Sequence, residues 1–495
     1  GGARRQTPGW RVIRLRRKPD LKSSFAIPSR SAQRIECAAG VRNVIRGSDM
    51  IRMLQGVTLW TGIAMAGFAA RGVSADGQQP PPSGAEVSDQ GAARNDAPEQ
   101  RQQPAGKPLA APDYTKLTGF VEGAHLPVKE PAVQWNITSQ FADAQGQMKQ
   151  SGLTDAVVAD GVLYFGDDHG RRNAVSIKDQ SALWTHTQRS RISTTPSVDR
   201  DFVYFGSEAG ITALQRETGK IVWQHGIPHG AGESAPVPVG DRVFASGYDG
   251  KAYCIDRATG AAVWIHNFME DAPPDQPDFA GARARFQNIV ARPNGSASDG
   301  KLFVQSVFDQ SRIIALDCDT GKRRWTFQAG GWISPAPTIA GDRVYVASQD
   351  KHLYCLDRET GAVAWKFQTP GWNASRVAIQ AGQVYLPYHG GRLYELAADS
   401  GKLVRTFEPP DEADRKGLVY SFPIIADRTA YFASGEGQLL AFDLESGKLR
   451  WKLRPAENAE LFTSPATDGR LIFVTTRPAQ NKNGVHAILA IGREE

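Results

Sequence analysis

The sequence predicts an all-β chain folded as an eight-bladed β-propeller, its ring closed by a strand from its own amino-terminal side. Three observations predict this. A twelve-residue unit recurs seven times, short β-rich runs alternate with Gly/Asp turns, and an unclaimed Trp135 upstream matches the Trp missing from an incomplete eighth unit downstream.

The unit is clearest in YCLDRETGAVAW, which ends at Trp365. Further copies end at Trp223, Trp264, Trp325 and Trp451, and two worn copies end at Trp184 and Arg405. A small residue stands ten positions before the Trp slot at Ala174, Ala213, Cys254, Ala315, Cys355 and Ala441, with Glu395 the exception. The copies are spaced by 39, 41, 61, 40, 40 and 46 residues, a period that marks a repeat architecture. Trp184, Trp223, Trp264, Trp325, Trp365, Trp451 and Trp135 are therefore expected to be structural docking residues.

Within a unit, an apolar run such as Val344–Ala347 precedes a polar turn at Gln349–Lys351. A second run, Leu353–Leu356, then enters Thr-Gly and a third run that ends in Trp. Thr-Gly supplies the positive φ of a tight hairpin, and the preceding Asp accepts bonds from turn amides. Period-two alternation is weak because both faces are apolar, as expected where sheets stack on both sides.

This A-x-D-x-x-T-G-x-x-x-W pattern resembles the tryptophan-docking repeat of the pyrroloquinoline quinone (PQQ)-type propellers. Those include the quinoprotein dehydrogenases and the BamB-type outer-membrane assembly lipoproteins. The resemblance covers roughly residues 131–491, and no Trp-Asp signature of WD40 blades occurs.

The net charge of +6 is unevenly placed: residues 1–75 hold 14 Lys/Arg against 3 Asp/Glu, leaving 44 against 49 in the remainder. The folded part is thus mildly acidic, and nothing in it indicates a nucleic-acid footprint. Residues 1–49 lack a core pattern and read as an over-extended, unstructured start, with an organelle transit peptide as the alternative. Residues 50–75 join a basic start, an apolar run and a Val73-Ser74-Ala75 site, which predicts a signal peptide cleaved near Ala75, with a short membrane anchor as the alternative. Residues 76–112 are Pro/Gln-rich and predict a disordered linker. The propeller is expected over 113–495, with no transmembrane span in the mature chain. No Cys stands near the cleavage site, unlike the lipid-attachment cysteine of BamB-type lipoproteins.

The eighth unit begins near Phe462–Pro465 and continues through His486–Leu489, with Ala487 in the small-residue slot. The strand Val133–Ile137 is expected to complete it, placing Trp135 in the eighth Trp slot. Closure of this kind removes exposed strand edges. In the sixth unit, Glu395 and Arg405 replace the small–Trp pair, which predicts a cross-strand ion pair.

Propellers place function on one face. The links from the Trp slot to the next inner strand mostly run 12 to 14 residues, but those after Trp264 and Arg405 run 29 and 18, and the two between carry Trp332 and Trp372. Trp332 and Trp372 are the candidate anchors of a partner-binding face, with Arg376 as a polar contact and residues 267–290 as a flap. The alternative is that both indoles only fill gaps between blades.

His186, His225 and His266 each follow a motif Trp by two residues, and are expected to serve packing rather than one metal site. Cys254, Cys318 and Cys355 form no adjacent pair, whereas quinoprotein dehydrogenases carry a vicinal disulfide beside the quinone and an acid/amide calcium set. The resemblance therefore implies a non-catalytic, periplasmic or secreted scaffold without cofactor, binding other envelope or secreted proteins. The alternative is a PQQ- and calcium-dependent quinoprotein dehydrogenase. Three Asn-x-Ser/Thr sequons, at Asn136, Asn294 and Asn373, would be glycosylated only in a glycosylating host.

Overall fold

Each repeat folds into a four-stranded antiparallel meander, because its three apolar runs and one short inner run are separated by turns too tight for any other connection. The fifth copy shows the pattern, with strands Thr338–Ala340, Arg343–Ser348, His352–Asp357 and Val363–Gln368 paired in chain order. The computed structural model describes residues 10–14, 126–127, 131–142, 147–192, 194–231, 235–268, 290–291, 301–306, 311–333, 335–410, 417, 419, 421–434, 436–461, 464–479, 484 and 486–493. Among these lie seven four-stranded sheets and one of seven strands, all antiparallel, the arrangement of a β-propeller. The expected signal peptide and linker lie outside the described residues.

Where burial is described, the two middle strands of a sheet are buried on both faces, as in Val203–Phe205, while outer strands such as Ile221–Gly226 alternate. The small-residue slot has a packing reason. It lies between an aromatic residue on the second strand and the Trp on the fourth, as in Tyr204–Ala213–Trp223 and Tyr345–Cys355–Trp365. A small side chain lets the flanking rings lean together, with centroids 5.9 Å apart in both cases.

The Trp also joins one sheet to the next. Trp223 Nε1 donates to the Arg257 carbonyl at 2.8 Å, and Trp325 and Trp365 bond the Arg358 and Ala398 carbonyls in the same way. The indole covers the Thr-Gly glycine of that following turn. A Cβ on Gly361 (φ 74°) would lie 2.6 Å from the Trp325 ring, so glycine is required there for both backbone and space. Beside it, the Thr360 hydroxyl and amide bond Asp357 and hold its carboxyl below the usual range.

The eighth sheet combines both ends of the folded chain. Strands Ala466–Thr467, Ile472–Pro478 and Ala487–Arg493 pair in order, and Pro131–Ala142 pairs with the last of them. The predicted pairing of Val133–Ile137 with Ala487–Ala490 is present, with one correction: Trp135 stands opposite Ala490, not Ala487. Ala490 in turn faces Phe473, whose ring lies 5.7 Å from Trp135, so Phe473–Ala490–Trp135 repeats the packing of the other sheets. Ala487 instead pairs with Thr138. In place of a following Thr-Gly turn, Trp451 Nε1 donates to the Pro127 carbonyl at 2.9 Å, which also accepts from Tyr431 at 3.3 Å.

Two short strands extend this sheet from Pro131–Ala142. Met148–Gln150 pairs with Gln140–Ala142, and Trp10–Arg14 pairs with Trp135–Ser139. Most of the region expected to be unstructured, residues 1–49, lies outside the described residues, but Trp10–Arg14 is a strand.

Candidate functional site

The two Trp-bearing links meet on one hairpin. Ser348–Asp350 joins the second and third strands of the fifth sheet, at the end opposite its Thr-Gly turn. From one side, Gln349 N donates to the Trp332 carbonyl at 2.7 Å and Ser348 Oγ to the Gly331 carbonyl at 2.9 Å. Asp350 Oδ2 accepts from Gly330 N at 2.8 Å, and a Cβ on Gly331 would come within 2.8 Å of the Asp350 amide. Gly-Gly before Trp332 thus lets the link lie flat on the hairpin. From the other side, Asn373 N donates to the Ser348 carbonyl at 3.2 Å.

The second link is ordered by its own side chains. Thr369 Oγ1 donates to the Gly371 carbonyl and accepts from Asn373 Nδ2, at 2.7 and 2.9 Å. Trp372 sits half-buried against His389, with ring centroids 4.7 Å apart in an edge-on contact. Trp332 is more open, at 38% exposure. The indoles thus differ: one is an exposed ring on a rigid link, the other a ring leaning on the next sheet's hairpin. Burial lowers the pKa of His389, so this wall carries a neutral imidazole at neutral pH.

Arg376 is half-buried, its guanidinium 4.4 Å from the Phe422 ring centroid, in a link beside Ser375, whose Oγ donates to the Val419 carbonyl. It therefore ties the link after the fifth sheet to the one after the sixth. Most of the proposed 267–290 flap lies outside the described residues. Of the sequons, Asn373 is 2% exposed, which leaves no room for a glycan in the folded chain.

Two of the three histidines make packing contacts. His225 Nδ1 lies 2.8 Å from the Gly260 carbonyl and its ring 5.7 Å from Tyr253, while His266 stacks edge-on to Phe268 at 4.9 Å. Cys254 and Cys355 are fully buried, and burial pushes both thiols up to about 12.

One cluster was not foreseen: Asp167, Asp168 and His169, on the hairpin of the first sheet, bring ligand atoms within 4.8 Å of each other. Asp167 is already committed. Its carboxylate accepts from Ser139 Oγ at 2.9 Å, Arg171 Nε at 2.5 Å and the amides of His169 and Arg171 at 2.9 Å each. Ser151 Oγ lies 2.9 Å from His169 Nδ1, and Asp168 Oδ1 lies 2.7 Å from that same nitrogen. A Ser–His–Asp relay uses opposite ring nitrogens, so this arrangement is not one. A calcium ion takes six to eight oxygens, more than this cluster offers. Among the described residues no other Asp/Glu/His/Cys group gathers in this way. Cys254, Cys318 and Cys355 are not adjacent in the sequence, so no two of them can form a vicinal disulfide.

Comparison with known proteins now adds to this geometry. The family described as outer membrane protein assembly factor BamB matches residues 135–279 and 255–491. The chain belongs to this family. Its BamB relative in Yersinia pestis is 23% identical over 287 residues, covering 50% of this chain and 73% of that protein. A quinoprotein ethanol dehydrogenase of Pseudomonas aeruginosa is 30% identical over 192 residues, 31% of each chain. The chain thus spans less than a third of the length of that dehydrogenase and of its counterpart in Pseudomonas putida. A europium-containing methanol dehydrogenase shares the fold, with TM-score 0.58 and 14% identity over 76% of this chain and 96% of that one. The β-propeller of PQQ-type repeats is therefore the scaffold here, and its presence alone does not separate enzyme from binding protein. No helix of the described residues is long and apolar enough to cross a membrane.

Proposed function

We propose that the chain is a non-catalytic, eight-bladed propeller closed by its Pro131–Ala142 strand, acting outside the cytoplasm as a docking scaffold for other envelope or secreted proteins. The observation that carries this is the Ser348–Asp350 hairpin, which gathers both Trp-bearing links and leaves Trp332 38% exposed. An aromatic ring held on a rigid link, at the end of the sheets away from the Thr-Gly turns, is suited to anchor a partner surface. Trp372 and Arg376 would form the wall beside it, and the 267–290 link would lie over the bound protein. Export would follow cleavage near Ala75.

The sequence matches to quinoprotein dehydrogenases support a second reading, a PQQ- and calcium-dependent oxidoreductase. Against it stand the separated, buried or half-buried Cys254, Cys318 and Cys355 and the fully engaged Asp167. Affinity capture from an envelope fraction, comparing the wild-type chain with Trp332→Ala/Trp372→Ala, tests the scaffold. Equal recovery of the same partners by both would sink it. Titration with PQQ and calcium in a dye-linked alcohol assay tests the enzyme.

A further inference from the structure

The outer edge of the Pro131–Ala142 strand differs from the other seven. It is twelve residues long, against five or six for the outer strands of the other sheets; like the outer strands of the first three sheets it carries no Lys, Arg, Asp or Glu, and its last three residues, Gln140–Ala142, pair with Met148–Gln150. Long uncharged edges invite pairing with another strand. Among the described residues, the other seven sheets end at their fourth strand, whereas here a further strand is seated: Trp10–Arg14, antiparallel, with Val12 opposite Ile137 and Arg14 opposite Trp135.

We propose that this edge is a strand-acceptor site for an extended segment of another polypeptide, one that combines apolar and basic residues. Trp10–Arg14 is its occupant in cis. Main-chain hydrogen bonds supply the affinity of such strand addition, and alternate side chains supply the selectivity. The partner chemistry comes from the seated sequence, Trp-Arg-Val-Ile-Arg, and from charge: residues 76–495 carry 44 Lys/Arg against 49 Asp/Glu, which favours a basic strand. Removal of the leader predicted at 50–75 would take Trp10–Arg14 with it and leave Trp135–Ser139 open. This edge is separate from the Trp332–Trp372 face, and the inference stands or falls independently of it.

The test uses the full chain and a labelled synthetic peptide of residues 8–16. Tethered in cis, the native segment acts at an effective concentration on the order of a millimolar or below, so wild-type protein should take up little peptide at micromolar levels. Val12→Pro/Ile13→Pro removes the cis strand whichever of the two amides faces the edge. This variant should melt like wild type and bind the peptide at least tenfold more tightly than wild type does. A peptide N-methylated at both Val12 and Ile13 should not bind. The proposal is overturned if the variant takes no peptide, if wild type and variant bind equally, or if the N-methylated peptide binds as well. It is equally overturned if the variant dimerises and excludes the peptide, since a second copy would then be the occupant.

Discussion

Arg405 Nε donates to Glu395 Oε2 at 3.0 Å, across the third and fourth strands of the sixth sheet, where every other described sheet sets a small residue against Trp. Arg405 Nη1 also donates to the Glu445 carbonyl at 2.9 Å, so the guanidinium takes over the bond to the next sheet that the indole makes elsewhere. The floor under it remains: Gly447 keeps φ at 76°, with Arg405 3.4 Å from where its Cβ would be.

That retained floor makes the pair testable by restoration. Glu395 is 7% exposed at its side chain and Arg405 34%. Arg405→Ala should destabilise by about 2–3 kcal/mol, because it strands a buried carboxylate, and more than Glu395→Ala does. Glu395→Ala should in turn cost more than Glu395→Ala/Arg405→Trp, which rebuilds the common packing over Gly447. Urea denaturation of the three variants gives the order, and a double variant weaker than Glu395→Ala would refute the account.

The glycine under an indole should be far less replaceable than a glycine in the open. Gly361 and Gly341 both have positive φ, 74° and 57°, but only Gly361 faces a ring, whereas nothing lies within 4 Å of a Cβ on Gly341. Gly341→Ala should cost about 1 kcal/mol from backbone strain alone. Gly361→Ala adds displacement of Trp325 and should approach the roughly 3–5 kcal/mol of Trp325→Ala. Equal melting temperatures for the two glycine variants would remove the indole from the explanation.

Trp135 is 3% exposed and packs on Phe473, so Trp135→Ala should cost about 3–5 kcal/mol, as much as Trp184→Ala within the first sheet. Deleting residues 131–138 should cost more still, by opening the Ala487–Arg493 strand. A deletion that melts with the wild type would mean that the eighth sheet is complete without it.

Acidification should weaken the face that holds Trp372. Burial lowers the pKa values of His389, His186 and His486 below the ordinary 6.5. The unfolded chain then binds more protons than the folded one between those lowered values and 6.5, so stability is full above about 6.5 and is lost as pH falls through that window. His389→Phe should flatten the fall in melting temperature between pH 7 and 5. An unchanged slope would exclude His389 as a contributor.

Much of this fold was legible because its repeats are contiguous. A spacing of ten residues between small slot and Trp holds wherever one hairpin joins the two strands, and it located even the Glu395–Arg405 pair. The same rule misplaced the eighth slot at Ala487, because there the partner Trp135 comes from the other end of the chain and no hairpin fixes the register. The candidate anchors Trp332 and Trp372 stood out by their equal offsets, yet the hairpin that gathers them works through main-chain atoms of Gly331, Trp332 and Ser348, which side-chain identity does not reveal. The Ser151–Asp168–His169 cluster and the Trp10–Arg14 strand were invisible for a related reason: each depends on segments that meet only through folding.

Gln134 and Arg493 are joined by a hydrogen bond of 2.5 Å although they stand 359 positions apart. At ordinary synthesis rates of about 5–20 residues per second, the Pro131–Ala142 strand leaves the ribosome roughly 20–70 s before the strand it pairs with. During that wait its neighbour in the finished sheet does not yet exist, while Trp10–Arg14, made earlier, already does. The order of manufacture thus sets a kinetic problem at one end of the chain and places an already-made strand beside it.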